Sequence, residues 1–295
     1  MSKITYRPGL KKWTWGDTVV LIALTLIALI IFIPFYNGVV ISLESNRGYA
    51  LHPVPMWPTE PTLKNYSYVL EKGNMSTGYL STILITFAGT AISMTAMVMM
   101  GYVFSRRAFP GKKLLFALTL FTMFFSGGMI PTYLLIKNMG LIDSRWSVIL
   151  FCGVSTYNII ILKNGFEQTP QELEEAAKID GANDITTFFR IMLPLQGALL
   201  ATFTLFTAVG YWNEWFWSML LINSARKMTL QTVLRAIVAE SQAYSDVAAG
   251  DTDVDVFTNG VKMAAVIMTT LPIMLFYPFL QKYFVKGVLV GSVKM

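Results

Sequence analysis

The chain is poor in the residues that carry most enzyme chemistry. Among 295 residues there is one cysteine, Cys152, and one histidine, His52. A lone cysteine gives no disulfide framework and no thiolate metal cluster. With one histidine, histidine-based zinc sites and Ser-His-Asp arrangements are read as excluded. There is no G-x-x-x-x-G-K-[ST] phosphate loop. The nearest imitation, Pro110-Gly111-Lys112-Lys113, lacks the upstream glycine. H-E-x-x-H and G-x-S-x-G are missing too. An enzyme is not expected, nor a metal or cofactor bound by this chain itself. Charge is also scarce: 14% of residues are Asp, Glu, Lys or Arg, against 54% hydrophobic. That balance is too apolar for a soluble domain and points to a multi-span membrane protein. The net charge of +6 does not argue for nucleic acid, because the basic residues lie in short clusters beside apolar runs, as membrane orientation requires.

What is present is a series of apolar runs of about 20 residues, the length that crosses a bilayer core. They predict an all-α, polytopic membrane protein with six transmembrane helices. The runs are Thr18–Ile41, Leu80–Phe104, Leu114–Ile136, Trp146–Leu162, Gly197–Ile222 and Val261–Leu280. The first is long for a signal-peptide core, and no A-x-A site follows it. Pro34 near its far end predicts a kink. Residues 43–79 carry Pro53, Pro55, Pro58 and Pro61 and read as an ordered loop with a short helix near Leu63–Leu70. Lys3, Arg7, Lys11, Lys12, Arg106, Arg107, Lys112, Lys113, Lys163, Lys178 and Arg190 fall on one side, with Lys282, Lys286 and Lys294. This bias places both termini in the cytoplasm of a plasma (inner) membrane protein. On the other side, Asn223–Gly260, with Asp246, Asp251, Asp253 and Asp255, reads as a solvated surface.

One cytoplasmic stretch stands out, Glu174 to Pro194. Pro170 followed by Gln171, Glu172, Glu174 and Glu175 suits a first helical turn, where acids complement the dipole. Gly181 supplies a turn, and Asn183 or Asp184 caps a second helix through Ile191. Ala176 and Ala177 allow a partner surface close approach, while Glu175 and Asp180 offer it charge. Glu175-Ala176-Ala177, then Gly181, then Ile191 and Leu193-Pro194 resemble the EAA motif of ABC importer permeases at every signature position. Ala198 departs from the pattern, since sugar-permease relatives carry a second proline there.

The resemblance runs from about Met75 to Leu280. It includes Phe125–Ile136, Trp212-Asn213-Glu214-Trp215-Phe216 and Lys286–Met295, which look like carbohydrate-uptake permeases of the maltose-type second-permease group, oligosaccharide branch. It implies a MetI-like transmembrane domain of a type I importer over 75–281, with a coupling loop at 165–196. Residues 1–74 precede it, as cytoplasmic N-terminus, first span and extracytoplasmic loop, and a cytoplasmic tail 282–295 follows. It further implies a heterodimer with a second permease subunit, ATP-binding subunits that hold ATP and Mg, an extracytoplasmic solute-binding protein and an oligosaccharide cargo. Glu174, Glu175, Ala176, Ala177, Asp180, Gly181, Ala182, Ile191, Leu193 and Pro194 would couple to the ATPase. An ABC permease for another solute, or a secondary transporter, stays open as an alternative.

Within the spans, Glu214 lies about eight residues, ~12 Å, from one end of its run, and an intramembrane acid is a functional candidate. Thr204, Thr207, Tyr211, Glu214 and Ser218 share helical spacing beside Trp215. With Asn213 and Asn158 they form the candidate substrate path; an interfacial belt is the other reading of the tryptophans, and a structural hydrogen bond across the permease interface is that of Glu214. Gly153, Ser155, Thr156, Tyr157 and Asn158 interrupt the fourth span, as cavity-lining breaks do. Gly127, Gly128 and Pro131 mark a kink or gate in the third; close helix packing by small residues is the other reading of both breaks.

Overall fold

The computed structural model describes residues 14–71, 74–106, 109–247 and 259–275. Their regular structure is helical apart from a single β-bridge, Glu44 to Pro61. Helix α1 (Trp15–Ser42) is opened by a capping box in which Asp17 accepts from the Thr14 amide and hydroxyl, both at 2.8 Å. It continues unbroken through Pro34. Its apolar window has none of its residues buried, whereas Gly38, Val40, Ile41 and Ser42 at its end are buried. Short helices α2 (Asn46–Leu51) and α3 (Lys64–Glu71) bear out the expected ordered loop.

Helix α4 (Met75–Ser105) is the central post. The third run is not one straight span. It divides into α5 (Lys112–Phe124) and α6 (Met129–Asn138), bent by 118°. Gly128 takes φ +85° at the corner, which only glycine adopts at low cost. The fourth run divides into α7 (Arg145–Phe151) and α8 (Thr156–Glu167), bent by 48° at the predicted break. After α9 (Gln171–Ile179), α10 (Asp184–Thr187) passes through a π-helical turn, Phe188–Met192, into α11 (Leu193–Leu195). An 81° bend leads to α12 (Gly197–Trp212). The run expected as one helix over Gly197–Ile222 ends there and restarts as α13 (Phe216–Leu221). Helices α14 (Leu230–Val247) and α15 (Asn259–Leu275) follow.

Contacts fix the direction of each pass. Arg106 at the end of α4 pairs with Glu174, and Lys112 at the start of α5 lies 3.7 Å from Glu167. Asp143 after α6 donates its amide to the carbonyl of Leu221, the last residue of α13 (2.7 Å). One end of the bundle is therefore the Glu174 end and the other the Asp143 end. The bent α5–α6 segment still carries the chain from the first to the second. By length and composition the described residues supply two continuous spans and three bent pairs. Helix α15 packs its first turns against Val69 and Met75, and its course past Leu275 lies outside the described residues, as does the 282–295 tail.

Two apolar clusters hold the bundle. Near the Glu174 end, Met97, Phe104, Leu162, Phe166, Phe188 and Met192 join α4, α8 and the π turn. Toward the other end, Val69, Met75, Leu230, Val233, Ala264 and Ala265 join α3, α4, α14 and α15. Thr229, Leu230, Thr232 and Val233 are buried, so one face of the segment read as solvated surface packs into the core, while Asn223, Arg226, Arg235 and Glu240 are exposed. Asp251, Asp253 and Asp255 lie outside the described residues.

Candidate functional site

The polar loop forms as its residues dictate. Pro170 precedes α9, whose first turn carries Glu172 and Glu174. A Schellman closure ends it. Ala182 N–H donates to the Ala177 carbonyl (2.9 Å) and Gly181 N–H to the Lys178 carbonyl (3.1 Å), with Gly181 at φ +79°. The Asn183 side chain then caps α10 by accepting from Thr186 N–H at 2.8 Å. Gln196 closes the loop on itself, its side-chain amide reaching the Gly165 carbonyl (2.9 Å) and the Thr169 hydroxyl (3.0 Å).

The two alanines part company. Ala177 is buried, while Ala176 is exposed beside Glu175, Asp180 and Gly181. Ile179, Ile185 and Phe189 expose 86%, 70% and 60% of their surface, a concentration of apolar side chains that water disfavours and a partner would cover. Ala182, Ile191 and Leu193 are partly buried, and Pro194 is exposed. Phe188 is buried against Tyr102 (ring centroids 4.6 Å).

This element packs on the fourth and fifth runs that it joins, through Leu162, Phe166, Phe188, Met192 and Phe203. It also rests on the second. Arg106 binds Glu174 and lies 4.4 Å over the Tyr102 ring. Lys178 supports Glu174 at 3.9 Å, and Lys163 and Lys112 hold Glu167 at 2.7 and 3.7 Å. A cleft of about 860 Å³, lined by Tyr102, Arg106, Phe109, Glu174 and Asp184 among others, opens beside α9. The missed signal was Arg106, read only as an orientation charge.

In the bundle, Asn158, Tyr211 and Glu214 line one cavity of about 250 Å³ with Cys152, Gly153, Ser155 and Thr207. The proposed stripe along one helix is corrected, because α12 stops at Trp212 and Glu214 sits in the break. Its carboxylate accepts the Trp217 N–H at 2.8 Å, capping α13. Ser218 is buried and accepts from Thr229 N–H instead. Asn213 is exposed beside Gln231 (3.4 Å), and Trp215 lies under the Arg235 guanidinium, 3.3 Å from its ring centroid. None of these three is among the cavity-lining residues.

Tyr211 is buried, its hydroxyl donating to the Ile149 carbonyl (2.6 Å) and lying 2.8 Å from Ser93 Oγ. A Cβ at Gly89 would fall 2.5 Å from its ring, and one at Gly153 2.1 Å from its hydroxyl. Those glycines make the slot that fixes Tyr211. Gly127, Gly128 and Pro131 are exposed at the α5–α6 corner.

Comparison with known proteins places this architecture. The model of the family described as binding-protein-dependent transport system inner membrane component matches residues 8–290. The chain belongs to this family. It is 42% identical over 269 residues to protein LplC of Bacillus subtilis (strain 168), covering 90% of each chain. It is 40% identical over 275 residues to the polygalacturonan/rhamnogalacturonan transport system permease protein YtcP of the same organism, covering 92% of this chain and 95% of that one. Its fold matches a chain in the crystal structure of a bacterial ABC transporter involved in the import of the acidic polysaccharide alginate. The TM-score is 0.83 at 28% identity, over 93% of this chain and 99% of the other. This inner membrane component is a multi-pass transport protein and not an enzyme.

The spans of this chain are tied at the Asp143 end by a polar staple that the sequence did not announce. Asp143, at φ +56°, accepts from the Ser224 amide and hydroxyl (2.8 and 2.6 Å), the Asn223 amide (3.1 Å) and the Lys227 ammonium (2.8 Å). Lys227 first, then the Ser224 donors, hold its carboxyl well below the usual carboxylate range. Arg145 binds the Ser81 hydroxyl and the Arg226 carbonyl. Spans two to five thus share one rigid cap.

Proposed function

We propose that this chain is the permease subunit of an ATP-driven importer of sugars, oligosaccharides in particular, that works by alternating access with a second permease subunit. The Glu174 end is cytoplasmic, together with both termini. There, residues 165–196 dock on ATP-binding subunits, which hold the ATP and Mg, and a solute-binding protein delivers cargo at the other side. The observation that carries this reading is the Glu174 loop. It is a helix–turn–helix with Glu175, Ala176, Ile179, Asp180 and Ile185 all exposed, braced on three spans. A partner that moves this loop moves the spans as bodies.

The sugar assignment is supported by the relatives' named cargoes, polygalacturonan and alginate among them, with the arabinooligosaccharide permease AraQ of Halalkalibacterium halodurans at 27% identity. The cavity at Asn158 and Glu214 offers an amide and a carboxylate beside the Phe206 ring, the groups that meet sugar hydroxyls and C–H faces. At about 250 Å³ it is below the roughly 300–1,000 Å³ of complete ligand sites, so the second permease supplies the facing wall. The α5–α6 corner at Gly128 serves as a gate element. Purifying the complex with its binding protein and screening an oligosaccharide panel for stimulated ATP hydrolysis tests the assignment. Stimulation by oligosaccharides is expected, and stimulation only by non-sugar solutes would overturn it.

A further inference from the structure

The loop after α1 carries an exposed apolar tip. Leu51, Val54, Met56 and Trp57 expose 66%, 79%, 85% and 75% of their surface. The stretch Tyr49–Pro58 contains no Asp, Glu, Lys or Arg. A loose loop would fold such residues inward, and this one is held. Glu44, fully buried, accepts from the Thr59 amide (2.7 Å), the Thr59 hydroxyl (3.1 Å) and the Glu60 amide (2.8 Å). Thr62 N–H donates to the Leu43 carbonyl at 2.7 Å.

Its height is set by α1. The Tyr36 hydroxyl donates to the Met56 carbonyl (2.9 Å) and the Asn37 amide to the Pro55 carbonyl (3.0 Å). From Val19 to Tyr36 the apolar, exposed part of α1 rises about 26 Å, close to the ~30 Å of a hydrocarbon core. Tyr36 therefore stands at the membrane–water boundary, and the tip hangs beside it. The backbone suits such a place. Proline at 53, 55 and 58 removes N–H donors that lipid could not satisfy, and the carbonyls of Pro55 and Met56 are already paired.

We infer that Leu51–Trp57 is an interfacial anchor, inserting Val54, Met56 and Trp57 among the lipid headgroups and upper acyl chains. Such an anchor ties the loop's height to the bilayer, and fixes the outer end of α1 while the other spans move.

The test places a spin label at Met56→Cys in the assembled importer in phospholipid nanodiscs. Ile30→Cys serves as lipid reference, Lys64→Cys as water reference, and labelled wild type accounts for Cys152. Collisions with oxygen should exceed those with a water-soluble nickel chelate, as at Ile30, and stay unchanged when the solute-binding protein is added. Chelate access equal to that at Lys64 would overturn the inference. So would shielding from both reagents, or a change on adding the binding protein, since each means that water or protein covers the tip. Should the cysteine variant fail to assemble, brominated phosphatidylcholine gives a second reading. Trp57→Phe should lower the quenchable share of tryptophan emission, and an unchanged share would overturn the inference.

Discussion

Arg106 is the residue whose part in this chain is easiest to undervalue. It joins Glu174 across the gap between α4 and α9 while stacking on Tyr102, with both side chains of the pair mostly shielded. Breaking a partly buried pair leaves one charge uncompensated. Arg106→Glu is expected to lower uptake at least tenfold, about 1.4 kcal/mol, with the complex still assembled. Exchanging the two charges, Arg106→Glu with Glu174→Arg, should restore a substantial part. Uptake assays on the two single variants and the double variant read the coupling directly. Glu44 has a different job. Burial opposes its ionisation, but the Thr59 and Glu60 amides, the Thr59 hydroxyl and the Ser45 amide outweigh it and hold its carboxyl below the ordinary range. A depressed folded-state value means the stabilisation is present at neutral pH. It starts to go as pH falls below about 4.3, the free glutamate value, and is lost through the lower folded value. Thermal melts from roughly pH 6 to pH 3, spanning that value, should show an acid-sensitive component that Glu44→Gln lacks.

At the scale of elements, helix breaks matter more than helices. Glu214 caps α13 inside the break of the fifth run. Glu214→Ala should therefore cost about 0.5–2 kcal/mol as a lost cap and also alter apparent affinity for cargo. Glu214→Gln keeps an acceptor for the Trp217 amide, so its effect on uptake isolates the charge. If neither variant changes affinity or rate, the cavity leaves the cargo path. Gly153→Ala should displace Tyr211 and lower thermal stability by more than Ser155→Ala beside it, which loses only the N-cap hydroxyl that accepts the Asn158 amide at 3.4 Å. These positions also show what a sequence can reveal. The breaks at Gly153–Asn158 and Gly127–Gly128 were legible because glycine and small polar residues interrupt apolar runs. The one at Asn213–Trp215 was not, because aromatic residues keep the run apolar and a polar residue every third or fourth position imitates a helix face. The Glu174 loop was legible almost residue by residue, since proline, acidic first turn, Gly181 and Asn183 are local signals. Its brace to Arg106 and the Asp143 staple join residues about 70 to 80 positions apart, and no local pattern encodes such pairs.

Across the whole molecule, the two ends are built for different duties. At the Asp143 end, the Asp143–Lys227 and Arg145–Ser81 contacts bind four spans into one cap. At the Glu174 end, the helix–turn–helix stands on α4, α8 and α11 with its other face exposed. On the proposed reading, a push on that face would be carried to the cavity at Asn158 and Glu214 through α8 and α12, because packed interfaces shift between discrete arrangements and do not deform smoothly. The most direct test is Gly181→Val in the importer reconstituted in proteoliposomes with its ATPase subunits and binding protein. A β-branched residue at φ +79° costs about 1–2 kcal/mol and opens the Schellman closure, leaving the spans untouched. The account predicts normal insertion and assembly, continued basal ATP hydrolysis, and at least a tenfold loss of sugar uptake per ATP hydrolysed, about 1.4 kcal/mol of coupling. Wild-type uptake per ATP in that variant would contradict it.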